Sequence, residues 1–137
     1  METKKRVGWG KAEDAWEINS KMCHRIYRQL ANIQWESHPL CENVKLAYIL
    51  TKEEDSVDVT CIFAKIPKGS EIPEHVHKDA FDIICPLSGR GKIWIKGVGE
   101  FELKCGVVVN VPPGALHKVY DVTEDMEIYD VFNGAIA

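Results

Sequence analysis

His75 and His77 stand two residues apart, Asp82 follows after a gap of four, and His117 lies far downstream, just past Pro112-Pro113-Gly114. Imidazole nitrogen and carboxylate oxygen are the donors that hold transition-metal ions. On a strand, residues two apart point to the same face. His75 and His77 therefore project together, and one ion takes both rings. Asp82 lies across a turn and offers an oxygen from the next strand, while His117 arrives from a distant one. Three imidazoles and a carboxylate make a mixed site better suited to Fe, Mn, Ni, Co, Cu or Zn than to Ca or Mg. A His-x-His pair standing alone is more often two solvent-facing residues, so the reading depends on His117. A His117 ring more than about 8 Å from the pair would exclude shared coordination.

The residues around the histidines carry a second signal. Gly69, five residues, His75, one residue, His77, four residues, Asp82, six residues and Gly89 form one run. Gly106, five residues, Pro112, one residue, Gly114, two residues, His117, three residues and Asp121 form another. This pattern closely resembles the two motifs of the cupin superfamily, departing from it at Asp82, where the motif has glutamate, and at Asp121, where it has asparagine. The resemblance covers residues 69–121, and the strand pattern extends it to roughly 44–132. It implies an all-β fold, the double-stranded β-helix or jelly-roll barrel, with one divalent transition metal (Fe, Mn, Ni or Zn) on His75, His77, His117 and Asp82. Aspartate is one methylene shorter than glutamate. Asp82 thus reaches the ion directly, or through a water, or instead pairs with His117 behind it.

The elements that must position these side chains fall into two textures. Before residue 40, Trp16, Cys23, Ile26, Tyr27, Leu30 and Ile33 recur at helical intervals. They predict a mainly helical segment over 12–34, weakened at Asn19 and Ser20 and ended by His38-Pro39. After it, short β-rich runs alternate with turns: Val44–Thr51, Val57–Ile66, Phe81–Leu87, Lys92–Lys96, Glu100–Leu103, Val107–Val111, Leu116–Asp121 and Glu127–Phe132. Lys52–Asp55 and Ser88–Gly91 read as turns, and Gly97 and Gly99 close a hairpin. The expected organisation is an N-terminal helical extension at 1–40 and a β-barrel at 41–137.

Composition narrows the function classes. The 137 residues predict one domain, and a formal net charge of -4 offers no field for nucleic acid or an anionic membrane. The basic run Lys4, Lys5, Arg6 reads as solvated. No apolar stretch approaches the ~20 residues of a membrane span, and no signal-peptide pattern opens the chain. The five cysteines, Cys23, Cys41, Cys61, Cys85 and Cys105, are odd in number and widely spaced, so reduced thiols and a cytoplasmic location are expected. Core packing is the expected role of Cys61 and Cys85. Glu74 should point away from His75 into solvent, and His24 and His38 read as surface or helix-end residues.

The resemblance implies a site and leaves the reaction open. One expectation is a metalloenzyme acting on a small polar metabolite, of dioxygenase, lyase or decarboxylase, or sugar-acid isomerase type. The other is a non-catalytic module that binds metal, sugar or a small acid. Lys118, Tyr120, Tyr48, Trp94 and Tyr129 are candidates for contacts near the site. By analogy with small cupins, a homodimer is expected.

Overall fold

Alternating burial past residue 35 builds eight strands among the described residues, which in the computed structural model are 8–18 and 23–134. The strands are β1 (Glu36–His38), β2 (Cys41–Leu50), β3 (Thr60–Ile66), β4 (Ile72–His75), β5 (Asp82–Ile95), β6 (Gly99–Leu103), β7 (Val109–Val111) and β8 (His117–Phe132). All pairings are antiparallel.

β5 and β8 pair along their whole lengths and pass together from one layer to the other. In the first layer, β8 from Met126 to Phe132 pairs with β3, and β3 with β2 and β1 beyond it. There the first residues of β5 pair with β7. In the second layer, the start of β8 pairs with β4, and the end of β5 pairs with β6. The result is a jelly-roll barrel. Its interior is filled by residues such as Val44, Ile62, Ile66, Ile84, Ile93, Leu103, Met126 and Ile128.

The sequence reading split β5 at Ser88–Gly91 and β8 between Asp121 and Glu127, and both strands instead run through. The chain bends there without reversing. The β5–β8 register shifts at Pro86–Ser88, Ser88–Arg90 and Arg90–Lys92, as bulges do when they steepen twist. Each bend also changes the inward parity. Asp82, Ile84 and Pro86 are buried before it, then Gly91, Ile93 and Ile95. On β8 the buried set is His117 and Val119, then Val122, Met126, Ile128, Asp130 and Phe132. The switch on β8 follows Asp121, which holds φ at 48°, a left-handed conformation that aspartate and asparagine tolerate better than other side chains.

The helix expected over 12–34 does not form as one element. The described part holds single turns at Ala12–Asp14 and Leu30–Asn32 and a four-residue helix, α1 (Cys23–Ile26). Helices this short gain little from propensity and depend on burying an apolar face, yet Trp16, Ile26 and Tyr27 are exposed. Asn19, Ser20, the run Lys4–Arg6 and the side chains of Cys23 and His24 lie outside the described residues. The chain divides into two compact units between Ile33 and Gln34. The sheet therefore begins upstream of residue 40, because β1 pairs with β2. Lys52–Asp55 is one helical turn, α2, capped by the Thr51 hydroxyl accepting from the Glu54 amide.

Candidate metal centre

Each of the four residues singled out above begins, ends or adjoins a strand at one end of the barrel. His75 closes β4 and is the cross-strand partner of His117, which opens β8. Asp82 opens β5 in the other layer, where it pairs with Val111 and Phe132. His77 lies beyond β4 rather than on it, so strand parity alone does not place it. Its carbonyl accepts from the Gly114 amide at 2.9 Å, and its ring packs edge-on against Phe132 at 4.7 Å. The turn before His117 thereby fixes the loop that carries His77.

The rings converge. His117 lies 4.2 Å from His75 and 5.5 Å from His77 between ring centroids, and His75 lies 5.0 Å from His77. One nitrogen from each of the three lies within 4.8 Å of the others. The Asp82 carboxylate lies beside two of them, with Oδ2 3.6 Å from His117 Nε2 and 3.8 Å from His77 Nε2, but it is not part of the group in which every donor lies within 4.8 Å of the others.

Two of the rings are fixed in tautomer. His75 Nδ1 lies 2.7 Å from the Pro73 carbonyl and His117 Nδ1 2.8 Å from the Ala115 carbonyl. A carbonyl only accepts, so each Nδ1 carries the proton and each Nε2 presents a lone pair. This is the arrangement in which a backbone acceptor orients a metal-binding histidine. Burial pushes His75 down to about 4 and also lowers His77, which keeps both rings neutral near pH 7.

The residues present fit a metal ion. His117 Nε2, Asp82 Oδ1 and Asp130 Oδ1 are buried without a hydrogen-bond partner, a costly condition for polar atoms. A cation held by the three imidazoles would satisfy His117 Nε2. Imidazole with carboxylate is the donor set of Zn, Fe, Mn and Ni sites.

The site opens into a cavity of about 260 Å³. Of the five nearby candidates, Tyr48 alone lines it. Lys118 sits over the rings of Tyr120 and Trp94, at 4.8 and 5.9 Å, and none of the three borders the cavity. Tyr129 packs on Phe63 at 4.9 Å and is pushed up to about 12, mainly by burial and then by Cys61 beside it. Cys61 is buried and Cys85 half-buried, and neither lines the cavity. Glu74 is exposed, as its parity predicted.

Two cavity residues escaped the sequence reading. His38, expected at the surface, lines the cavity with its ring 6.3 Å from His75. Asp130 is buried among Ile128 and Phe132. Burial, and then the charge of Asp82, push its carboxyl well up. A charged residue at an inward position of an apolar strand was its signal. His38 left none, because a single histidine before a proline carries no period.

The model described as Cupin domain matches residues 62–132. No curated protein matches the sequence. A predicted oxalate decarboxylase from Thermotoga maritima is similar in structure at 23% identity and a TM-score of 0.70, over 80% of this chain and 99% of that one. Ectoine synthase from P. lautus is similar at 16% identity and a TM-score of 0.71, over 82% and 80%. KdgF from Halomonas sp. is similar at 16% identity and a TM-score of 0.67, over 79% and 94%. At such identities the likeness concerns the fold. The matched span runs from β3 to the end of β8, takes in both histidine segments and exceeds half of the sequence, and on that ground the chain belongs to the cupin-domain family.

Proposed function

We propose that this protein is a metal-dependent enzyme of lyase or decarboxylase type acting on a small polar metabolite. In this reading His75, His77 and His117 hold one divalent Fe, Mn, Ni or Zn ion, and Asp82 is the fourth ligand. The observation that carries the reading is the set of unpartnered donors, His117 Nε2 and Asp82 Oδ1, buried beside two neutral imidazoles at the head of a cavity. Bound there, the ion would act as a Lewis acid on a substrate oxygen. The protein supplies the rest. Ile62, Ile84, Ile128 and Val119 give the cavity an apolar lining. Asp130 lines the same cavity, its carboxyl pushed well up by burial and by the charge of Asp82. Burial also raises Tyr48, which keeps its phenol as a donor. A predicted oxalate decarboxylase among the similar structures is in keeping with the decarboxylase reading.

The test is elemental analysis of purified protein, followed by turnover of a panel of small carboxylates and hydroxy acids by wild type and His75→Ala. Stoichiometric metal with turnover lost in His75→Ala is expected. Metal without turnover across the panel would leave a passive binding module. A wild-type chain that retains and takes up no transition metal would end the reading altogether.

A further inference from the structure

The cavity beside the candidate metal centre is mostly apolar outside the centre. Its walls are Leu46, Ile62, Ile72, Ile84, Val119 and Ile128, and no lysine or arginine is among the described residues that line it. A second anionic group on a ligand would be buried there without a cation, a heavily penalised condition. The several hydroxyls of a sugar acid would lack partners, since His38, Tyr48 and Asp130 are the only polar side chains on the wall beyond the centre among the described residues. At the mouth, Leu40 and Val76 line the cavity and remain 54% and 48% exposed, which extends the apolar surface outward. Some 260 Å³ corresponds to roughly eight water-sized volumes, room for a compact molecule.

His38 adds one directed donor. The Leu40 amide donates to its Nδ1 at 3.0 Å. An Nδ1 that accepts carries no proton, so the neutral ring bears its hydrogen on Nε2. The ligand histidines are set the opposite way, with Nδ1 protonated and Nε2 bare. His38 is therefore built to donate where His75 and His117 are built to accept. Its ring borders the cavity 6.3 Å from that of His75, and its Nε2–H has no partner among the described residues. The turn between β1 and β2 fixes the ring through the Leu40 contact.

We propose that the centre selects a small monocarboxylate with an apolar body, one oxygen on the metal and the other accepting from His38 Nε2–H. This rests on the metal reading above and narrows its substrate class. His38 is a specificity residue in it, outside the ligand set.

The experiment uses the full chain loaded with Co²⁺, whose visible bands report the ligand field. Butyrate, succinate and gluconate are titrated into wild type, His38→Phe and His38→Gln. Butyrate is expected to perturb the bands at the lowest concentration. His38→Phe should weaken butyrate about tenfold, the effect of losing one charge-assisted hydrogen bond, with Co²⁺ affinity unchanged, and His38→Gln should recover most of it. Succinate or gluconate binding more tightly than butyrate would overturn the proposal. So would an unaltered butyrate affinity in His38→Phe, or Co²⁺ affinity falling in step with it. A wild-type chain that takes up no Co²⁺ would bring down the metal reading, and this inference with it.

Discussion

At the residue scale, Asp82 carries opposed demands. It is buried 3.6 and 3.8 Å from two imidazole nitrogens, where its oxygen would face a bound cation. It also lies beside Asp130, and two buried acids resist ionising together. Asp82→Asn should weaken metal binding by about tenfold or more and raise the stability of the metal-free protein by about 1 kcal/mol, the usual exchange of function against stability. Isothermal titration with Zn²⁺ and thermal melts in chelator read the two effects, and a variant that loses both would show a merely structural Asp82. His75 makes a second, pH-dependent prediction. Its folded value lies at about 4, below the ordinary histidine value of 6.5. The unfolded chain thus binds more protons between those values, and stability rises with pH across that window. Metal-free protein should lose stability as pH falls from about 6.5 toward 4, and His75→Phe should flatten that slope. The same protonation should release metal below about pH 5.

At the scale of elements, the long bent strands decide which residues meet. Gly89 sits at the bend of β5 with φ at 82°, and a Cβ there would come within 2.2 Å of the Asp125 carbonyl. The close partner is backbone and cannot swing aside. Gly89→Ala should therefore cost about 2–4 kcal/mol, the sum of left-handed strain and overpacking, as read from denaturant unfolding. By contrast, Gly97 has open space around its missing side chain. These bends also explain what the sequence could and could not tell. The clustering of the three histidines was readable because their spacing is local at His75-x-His77 and tied to turn residues before His117. The strands were readable as segments but not as two continuous elements, since Gly89 and Asp121 look like turn residues while acting as bulges. Parity fails across each bend, so counting from His117 could not assign Asp130 to the interior. His38 was unreadable because its place follows from β1 joining the sheet, a tertiary pairing that overrode the helical texture upstream. The absent 12–34 helix has the same lesson, for periodicity proposes a face and only packing stabilises it.

At the scale of the whole barrel, the candidate ligands tie together parts that otherwise share little. β4 is four residues long and is paired with β8. Asp82 belongs to the opposite layer, and His77 to the loop between them. An ion held by all four would bridge the two layers at one end, where the native chain alone leaves buried atoms without partners. Because the unfolded chain does not assemble the set, binding energy adds to folding energy. At a free metal concentration a hundred times Kd the gain is about 2.7 kcal/mol, enough to raise Tm by about 10 °C in a domain of this size. Melts with and without Zn²⁺ should show that rise in wild type and none in His117→Ala. Amide exchange should localise it, with protection increasing at Ile72–His75 and at the start of β8 while the far end around β6 changes little. A uniform rise along the chain, or an equal one in His117→Ala, would place the metal elsewhere and remove the basis for chemistry at this end of the barrel.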